Sequence, residues 1–171
     1  MNKLFLFIIF TSISLFSFSQ ISADSIAVSE EGIAVEEIAI KEAQWIEEYK
    51  KAAKISKKEN KPILIFFTGS DYCGLCKQLN KHFFTSEEFI KLADEELVLY
   101  IADFPRRKDI VSPEKRKVNE QLKSKYAVGG YPTIVLVSSD GKILGKRMGF
   151  GFDHDTQYHF DLVRKAVLEN Q

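Results

Sequence analysis

Three short apolar runs, at residues 62–67, 97–102 and 133–137, decide what kind of fold this chain can adopt. None holds a charged residue. Runs this short suit strands buried on both faces, the setting of a sheet packed between helices. The stretches between them repeat apolar residues at helical spacing. Residues 44–59 set Trp45, Ile46, Tyr49, Ala52, Ala53, Ile55 and Ser56 among lysines and glutamates, which predicts an amphipathic helix stopped at Asn60 and Pro62. From Gly74 to about Phe84, Leu75, Leu79 and Phe83 share one helical face, and Ser86 caps a further helix through Ala93. Ser112-Pro113-Glu114 opens another, ending near Tyr126. Ser139-Asp140-Gly141-Lys142 reads as a hairpin turn joining strand 133–137 to an antiparallel strand 143–148. A last helix, 156–169, carries Phe160, Val163, Val167 and Leu168 as its apolar stripe. This order predicts an α/β fold with a central mixed sheet of four to five strands and helices on both faces.

The chain has 171 residues, room for one domain and an N-terminal extension. Residues 1–19 read as a secretory signal peptide. Lys3 is the only charge before Asp24, Leu4 to Phe10 is solidly apolar, and Ser17 and Ser19 are small residues placed for cleavage before Gln20. The rival reading is an uncleaved membrane anchor, but five serines between Ser12 and Ser22 dilute the segment and its apolar core is short for a span. Cleavage predicts an exported, periplasmic protein with no stable membrane insertion. Residues 20–43 read as an acidic tether, with a short strand near 33–40, and 44–171 as the domain. The 24 basic and 24 acidic residues balance, so charge gives no case for nucleic acid or an anionic membrane as partner.

Cys73 and Cys76 are the only cysteines, and they stand between the first apolar run and the helical pattern that follows it. A disulfide across so short a loop removes little unfolded-state entropy, so the pair makes a poor staple and a better reactive centre. Export allows such a disulfide to persist. Cys73, at or just before the first helical position, faces amides without intrahelical partners and the positive end of the dipole; both favour a thiolate. Cys76 lies on the same face, placed to attack a mixed disulfide on Cys73 and release the partner. Gly74 lets another chain approach closely. Two other readings stand beside this one. The cysteines can be buried and inert. They can also belong to a metal site, which needs more ligands than His82, His154 and His159 are placed to supply.

Over residues 44–170 the chain resembles the thioredoxin family, and within it the exported bacterial thioredoxin-like proteins. Four landmarks carry the resemblance. Phe67-Thr68-Gly69-Ser70-Asp71-Tyr72-Cys73-Gly74-Leu75-Cys76-Lys77 follows a buried strand. Asp103-Phe104-Pro105 ends the next strand, Gly130-Tyr131-Pro132-Thr133 precedes the third, and Gly149 stands eight residues after Asp140-Gly141. The resemblance implies a thioredoxin-like fold and a protein-disulfide oxidoreductase that reduces or isomerises protein disulfides, with no organic cofactor or metal. It implies Cys73 as nucleophile and Cys76 as resolving thiol. It also implies a cis Tyr131–Pro132 bond, with Pro132 beside the disulfide and Tyr131 offering its backbone to an extended substrate segment. Gly74, Leu75 and Gly149 would complete the substrate surface. The implied partners are disulfide-containing or dithiol proteins and a redox recycling protein.

The chain departs from thioredoxin at several places. Leu75 stands where thioredoxin has proline, and no histidine lies between the cysteines, which leans the reading toward reductase or isomerase. The family's buried Asp–Lys pair maps onto Phe67 and Leu99, leaving water, Asp71 or Lys77 as the base for Cys76. Lys81 replaces the proline that kinks the family's active-site helix. The segment between Asp103 and Tyr126 is longer, and its Arg106-Arg107-Lys108 cluster reads as a solvated basic loop, with a partner contact as the alternative. Two other functions compete: a non-enzymatic module that holds peptides in the Tyr131–Pro132 groove, and a thiol metal carrier.

Overall fold

The computed structural model describes residues 42–171. The expected signal peptide, the expected tether up to residue 41 and the strand expected near 33–40 lie outside the described residues. The described chain runs β1 (Trp45–Ile46), α1 (Tyr49–Glu59), β2 (Ile63–Thr68), α2 (Gly74–Leu79), a π-turn (Asn80–Phe84), α3 (Glu87–Glu96), β3 (Val98–Asp103), α4 (Pro113–Lys125), β4 (Thr133–Val137), β5 (Ile143–Met148) and α5 (Gln157–Glu169). The five strands form one sheet in the order β1-β3-β2-β4-β5. β3 pairs parallel to β2, β4 pairs antiparallel to it, and β5 pairs antiparallel to β4. The result is the mixed sheet of a thioredoxin-like fold.

All six residues of β2 are buried, as its unbroken apolar run requires. Alternation along the strands sorts side chains into two cores. Leu64, Phe66, Leu99, Ile134 and Leu136 face α2, the π-turn, α3 and α5, against Leu79, Phe83, Phe89, Phe160 and Val163. Ile63, Ile65, Phe67, Tyr100, Val135 and Val137 face α1 and α4, against Ala52 and Leu122. The helix ends follow local chemistry. Asn60 takes the left-handed conformation at φ 52° and closes α1. Ser86 Oγ accepts from Phe89 N–H, and Ser112 Oγ accepts from Lys115 N–H with Pro113 in the first turn of α4. In the β4–β5 hairpin, Gly141 adopts φ 85° and its N–H donates to Ser138 O at 2.8 Å.

Four expectations change. Trp45 and Ile46 are a strand rather than the first turn of α1, paired parallel with Leu99 and Tyr100. Trp45 packs on the first core and Ile46 on the second. Two neighbouring apolar residues satisfy a helical or a strand period equally, so only the pairing with β3 separates them. On α5 the buried stripe is His159, Phe160, Val163, Ala166 and Val167, while Leu168 is 69% exposed. Leu75 is only half-buried, and Cys76 takes the inward position beside Leu79. Where the family's helix carries a kinking proline, this chain has a π-turn, with Thr85 N–H donating to Asn80 O at 3.2 Å.

His159, absent from the predicted stripe of α5, is 1% exposed and packs against Phe83 and Phe150. Neither ring nitrogen makes a well-formed hydrogen bond. Burial, assisted by the Arg147 charge, pushes its pKa down from 6.5 to about 4. The folded protein therefore holds His159 neutral where the unfolded chain protonates it. This contribution to stability is complete above pH 6.5 and is lost as pH falls toward about 4. The expected loss over that window is on the order of 2–3 kcal/mol. Urea unfolding of the protein and of His159→Phe across that window measures it; the variant should lose this part of the slope.

Candidate active site

The site is built on Asp103, buried at the end of β3. Its carboxylate accepts from Ser70 N–H at 2.9 Å and from Ser70 Oγ at 2.6 Å. Behind it, Asn119 Nδ2 donates to Asp103 O at 3.0 Å, and Asn119 Oδ1 accepts from the Tyr100 hydroxyl at 2.6 Å. Burial pushes Tyr100 up to about 12, which keeps it a donor. The turn after β2 closes on itself: Gly69 O accepts from Tyr72 N–H at 3.2 Å and from Cys73 N–H at 2.8 Å. The Tyr72 ring closes over Gly69: a Cβ there would stand 2.5 Å from it, and the ring would have to move.

Cys73 is thereby delivered to the N-cap of α2, with φ −83° and ψ 101°. Its Sγ accepts from Cys76 N–H at 3.2 Å, and the two sulfurs are bonded at 2.09 Å. The pair is asymmetric. Cys73 is half-buried, whereas Cys76 is 2% exposed within an apolar cluster that includes Phe66, Leu79, Phe83 and Phe84. A protein thiol or disulfide can therefore meet Cys73, while Cys76 can reach only Cys73. The amide that donates to Cys73 Sγ is placed to stabilise a thiolate on that sulfur.

Cys73 and Tyr131 pack against the same core cluster. A Cβ on Gly74 would meet nothing within 4 Å, so the space above the helix start is open. Leu75 beside it is half-exposed. The Tyr131–Pro132 peptide bond is cis. Pro132 O accepts from Gly149 N–H at 2.8 Å, and Gly149 holds φ 88°. Tyr131 stacks on Phe104 at 5.2 Å, with Lys123 Nζ 5.3 Å from its ring centre. Burial raises the Tyr131 pKa and the Tyr131 hydroxyl raises that of Lys123, with Tyr72 adding to both shifts.

The base positions come out differently from the sequence correspondence. Phe67 and Leu99 lie in separate cores on opposite faces of the sheet, so they do not replace a charge pair. The β2 residue on the Cys76 side is Phe66. The one-residue shift inverts the face, as the period of two along a strand demands. Asp71 does not serve Cys76 either. Its two oxygens accept from Arg106 N–H and Arg107 N–H, each at 3.0 Å. The Arg107 amide is the main cause of a pKa below the usual carboxylate range. Asp71 anchors the loop after β3. Sequence reasoning missed the roles of Tyr72 and Ser70, and cited Asp103 only as a landmark. An aspartate closing an apolar run was the available signal. His82 stacks on His154 at 4.4 Å, and all three histidine rings lie around Phe150. Among the described residues no group of three or more His, Cys, Asp or Glu is placed to hold a metal.

The sequence matches the thioredoxin-like domain family over residues 49–151. The chain belongs to the thioredoxin-like family. Over 113 residues it is 41% identical to the disulfide bond reductase DsbH of Chlamydia pneumoniae, a match that spans 66% of each chain. Over 107 residues it is 30% identical to the thioredoxin-related protein DsbJ of the same organism, spanning 63% of this chain and 30% of that one. A solved DsbH oxidoreductase superposes with a TM-score of 0.67 at 32% identity, covering 86% of this chain and 95% of that one. A thioredoxin from Thermus thermophilus, at 18% identity, shares the fold with a TM-score of 0.59, covering 76% of this chain and 91% of its own.

The two site glycines differ in what they require. Gly149→Ala is expected to destabilise the thioredoxin-like domain by about 1–2 kcal/mol, because an alanine there must take a left-handed φ. Gly74→Ala has open space and a helical position, so it should be neutral or stabilising by up to about 1 kcal/mol. Urea unfolding of the two variants measures the contrast.

Proposed function

We propose that this protein is an exported thiol–disulfide oxidoreductase that reduces or isomerises disulfides in other proteins. The asymmetry of the bonded pair carries the reading: an accessible sulfur at a helix cap and a buried one directly behind it. In the reduced protein the Cys73 thiolate attacks one sulfur of a substrate disulfide. That S–S bond breaks, a mixed disulfide forms, and the displaced thiolate takes up a proton. The Cys76 thiolate then attacks Cys73 Sγ, forming the Cys73–Cys76 bond and releasing the second substrate thiol. Two electrons and two protons pass from protein to substrate. A dithiol protein of lower potential must restore the reduced pair.

Two observations favour reduction over oxidation. A 41% identical relative is named a disulfide bond reductase. Gly74 and Leu75 put no histidine between the sulfurs. Tyr131 and Pro132 supply the groove edge on which an extended substrate segment lies, with Gly74, Leu75 and Gly149 lining the approach. Export rests on the leader-like residues 1–19; among the described residues no helix is long and apolar enough to cross a membrane. N-terminal sequencing of the protein recovered from outside the cytoplasm is expected to begin at Gln20. An N-terminus retaining residues 1–19 in a membrane fraction would favour the anchor.

Disulfide reduction on insulin, driven by a small dithiol, tests the chemistry. Cys73→Ser is expected to bring the rate to background. Cys76→Ser is expected to accumulate a mixed disulfide on Cys73. An undiminished rate in Cys73→Ser would remove the catalytic reading and leave a peptide-binding module. Stoichiometric metal in the reduced protein, lost when both cysteines are replaced, would favour a metal carrier.

A further inference from the structure

The loop between β3 and α4 builds a pocket that the oxidoreductase chemistry does not itself require. It has a volume of about 350 Å³ and is lined by Arg106, Lys108, Val111, Pro113 and Arg116. Three of these five side chains are cations, and Val111 and Pro113 supply apolar surface. Arg116 Nη1 donates to Pro105 O at 3.4 Å, but its Nη2 is buried without a hydrogen-bond partner. A guanidinium nitrogen removed from water and left unpaired carries a desolvation cost. No carboxylate lines the pocket. Asp109 pairs with Arg107, Glu47 pairs with Lys115, and Glu114 lines a separate pocket. Asp71 does act on Arg106 electrostatically, yet both its oxygens are taken by backbone amides.

The pocket is also coupled to the reacting sulfur. Asp71, two residues before Cys73, holds the backbone of Arg106 and Arg107. The Arg106 guanidinium covers the Tyr72 ring at 4.4 Å, and Tyr72 adjoins Cys73. These contacts link the basic rim to the turn that carries Cys73. We propose that the Arg106–Lys108–Arg116 pocket selects the oxidoreductase's substrates by receiving an acidic side chain, aspartate or glutamate, that lies close to the reacting cysteine. The methylenes of that side chain lie on Val111 and Pro113, and its carboxylate meets the three cations. This assignment rests on the oxidoreductase reading above.

The test uses two synthetic peptide disulfides, identical except that one carries glutamate and the other glutamine flanking the cysteine. The second-order rate constant for their reduction by the reduced protein is measured. The glutamate peptide is expected to react faster, on the order of tenfold at low salt, as a few partly exposed ion pairs allow. The preference should fade between about 0.01 M and about 1 M salt, as the screening length contracts from about 30 Å to about 3 Å. Lys108→Glu and Arg116→Gln should each shrink the ratio, while Lys51→Glu, an exposed reversal on α1, should leave it intact. Should Arg116→Gln fold poorly, the exposed Lys108→Glu decides alone. Equal rates for the two peptides, or a ratio untouched by Lys108→Glu, would overturn the pocket's role and leave the oxidoreductase reading standing. No reduction of either peptide would overturn that reading, and the substrate assignment with it.

Discussion

Two hydrogen bonds to the Asp103 carboxylate hold the site in place. The parallel pairing of β2 and β3 ends at Thr68 opposite Asp103, and the chain leaving β2 must reverse within a few residues to begin α2. Ser70 supplies an amide and a hydroxyl to that carboxylate. Hydrogen bonds to a charged group stabilise by roughly 1.5–3 kcal/mol each, more than neutral ones, and here they join a turn to the rigid sheet. Tyr100 and Asn119 brace the Asp103 backbone from the second core. The position of Cys73 at the helix cap is thus a consequence of a strand end, two buried side chains and one serine.

Much of this was legible in the residues because the relevant signals are local. Apolar runs without charge name buried strands, Ser86 and Ser112 name helix starts, and a Cys-x-x-Cys after a strand names a redox pair. The errors arise where local pattern underdetermines tertiary partners. Trp45 and Ile46 are too few to show a period, and only β3 makes them a strand. Counting back from Cys73 chose Phe67, while the sheet presents Phe66 to the Cys76 side, since one residue changes the face. The predicted stripe of α5 omits His159, which the helix turns under Phe83 and Phe150. Asp71 looked like a base because it is close in sequence; its hydrogen bonds run to the opposite loop.

The chemistry then divides between two sulfurs by exposure rather than by residue type. An accessible thiol exchanges with large partners, and a buried neighbour ends the encounter, since no other disulfide can reach it. Cys76 packs among apolar side chains, Phe66 included. Recognition is equally divided. The proline loop and Gly74 offer backbone and open space, which read no side chain, while the rim on Tyr72 and Arg106 adds charge.

The most direct measurement is the order in which the two thiols react. The reduced protein, treated with limiting iodoacetamide and mapped by peptide mass spectrometry, should carry the label on Cys73, with Cys76 modified only after unfolding. Equal labelling of both cysteines, or labelling of Cys76 first, would contradict the account.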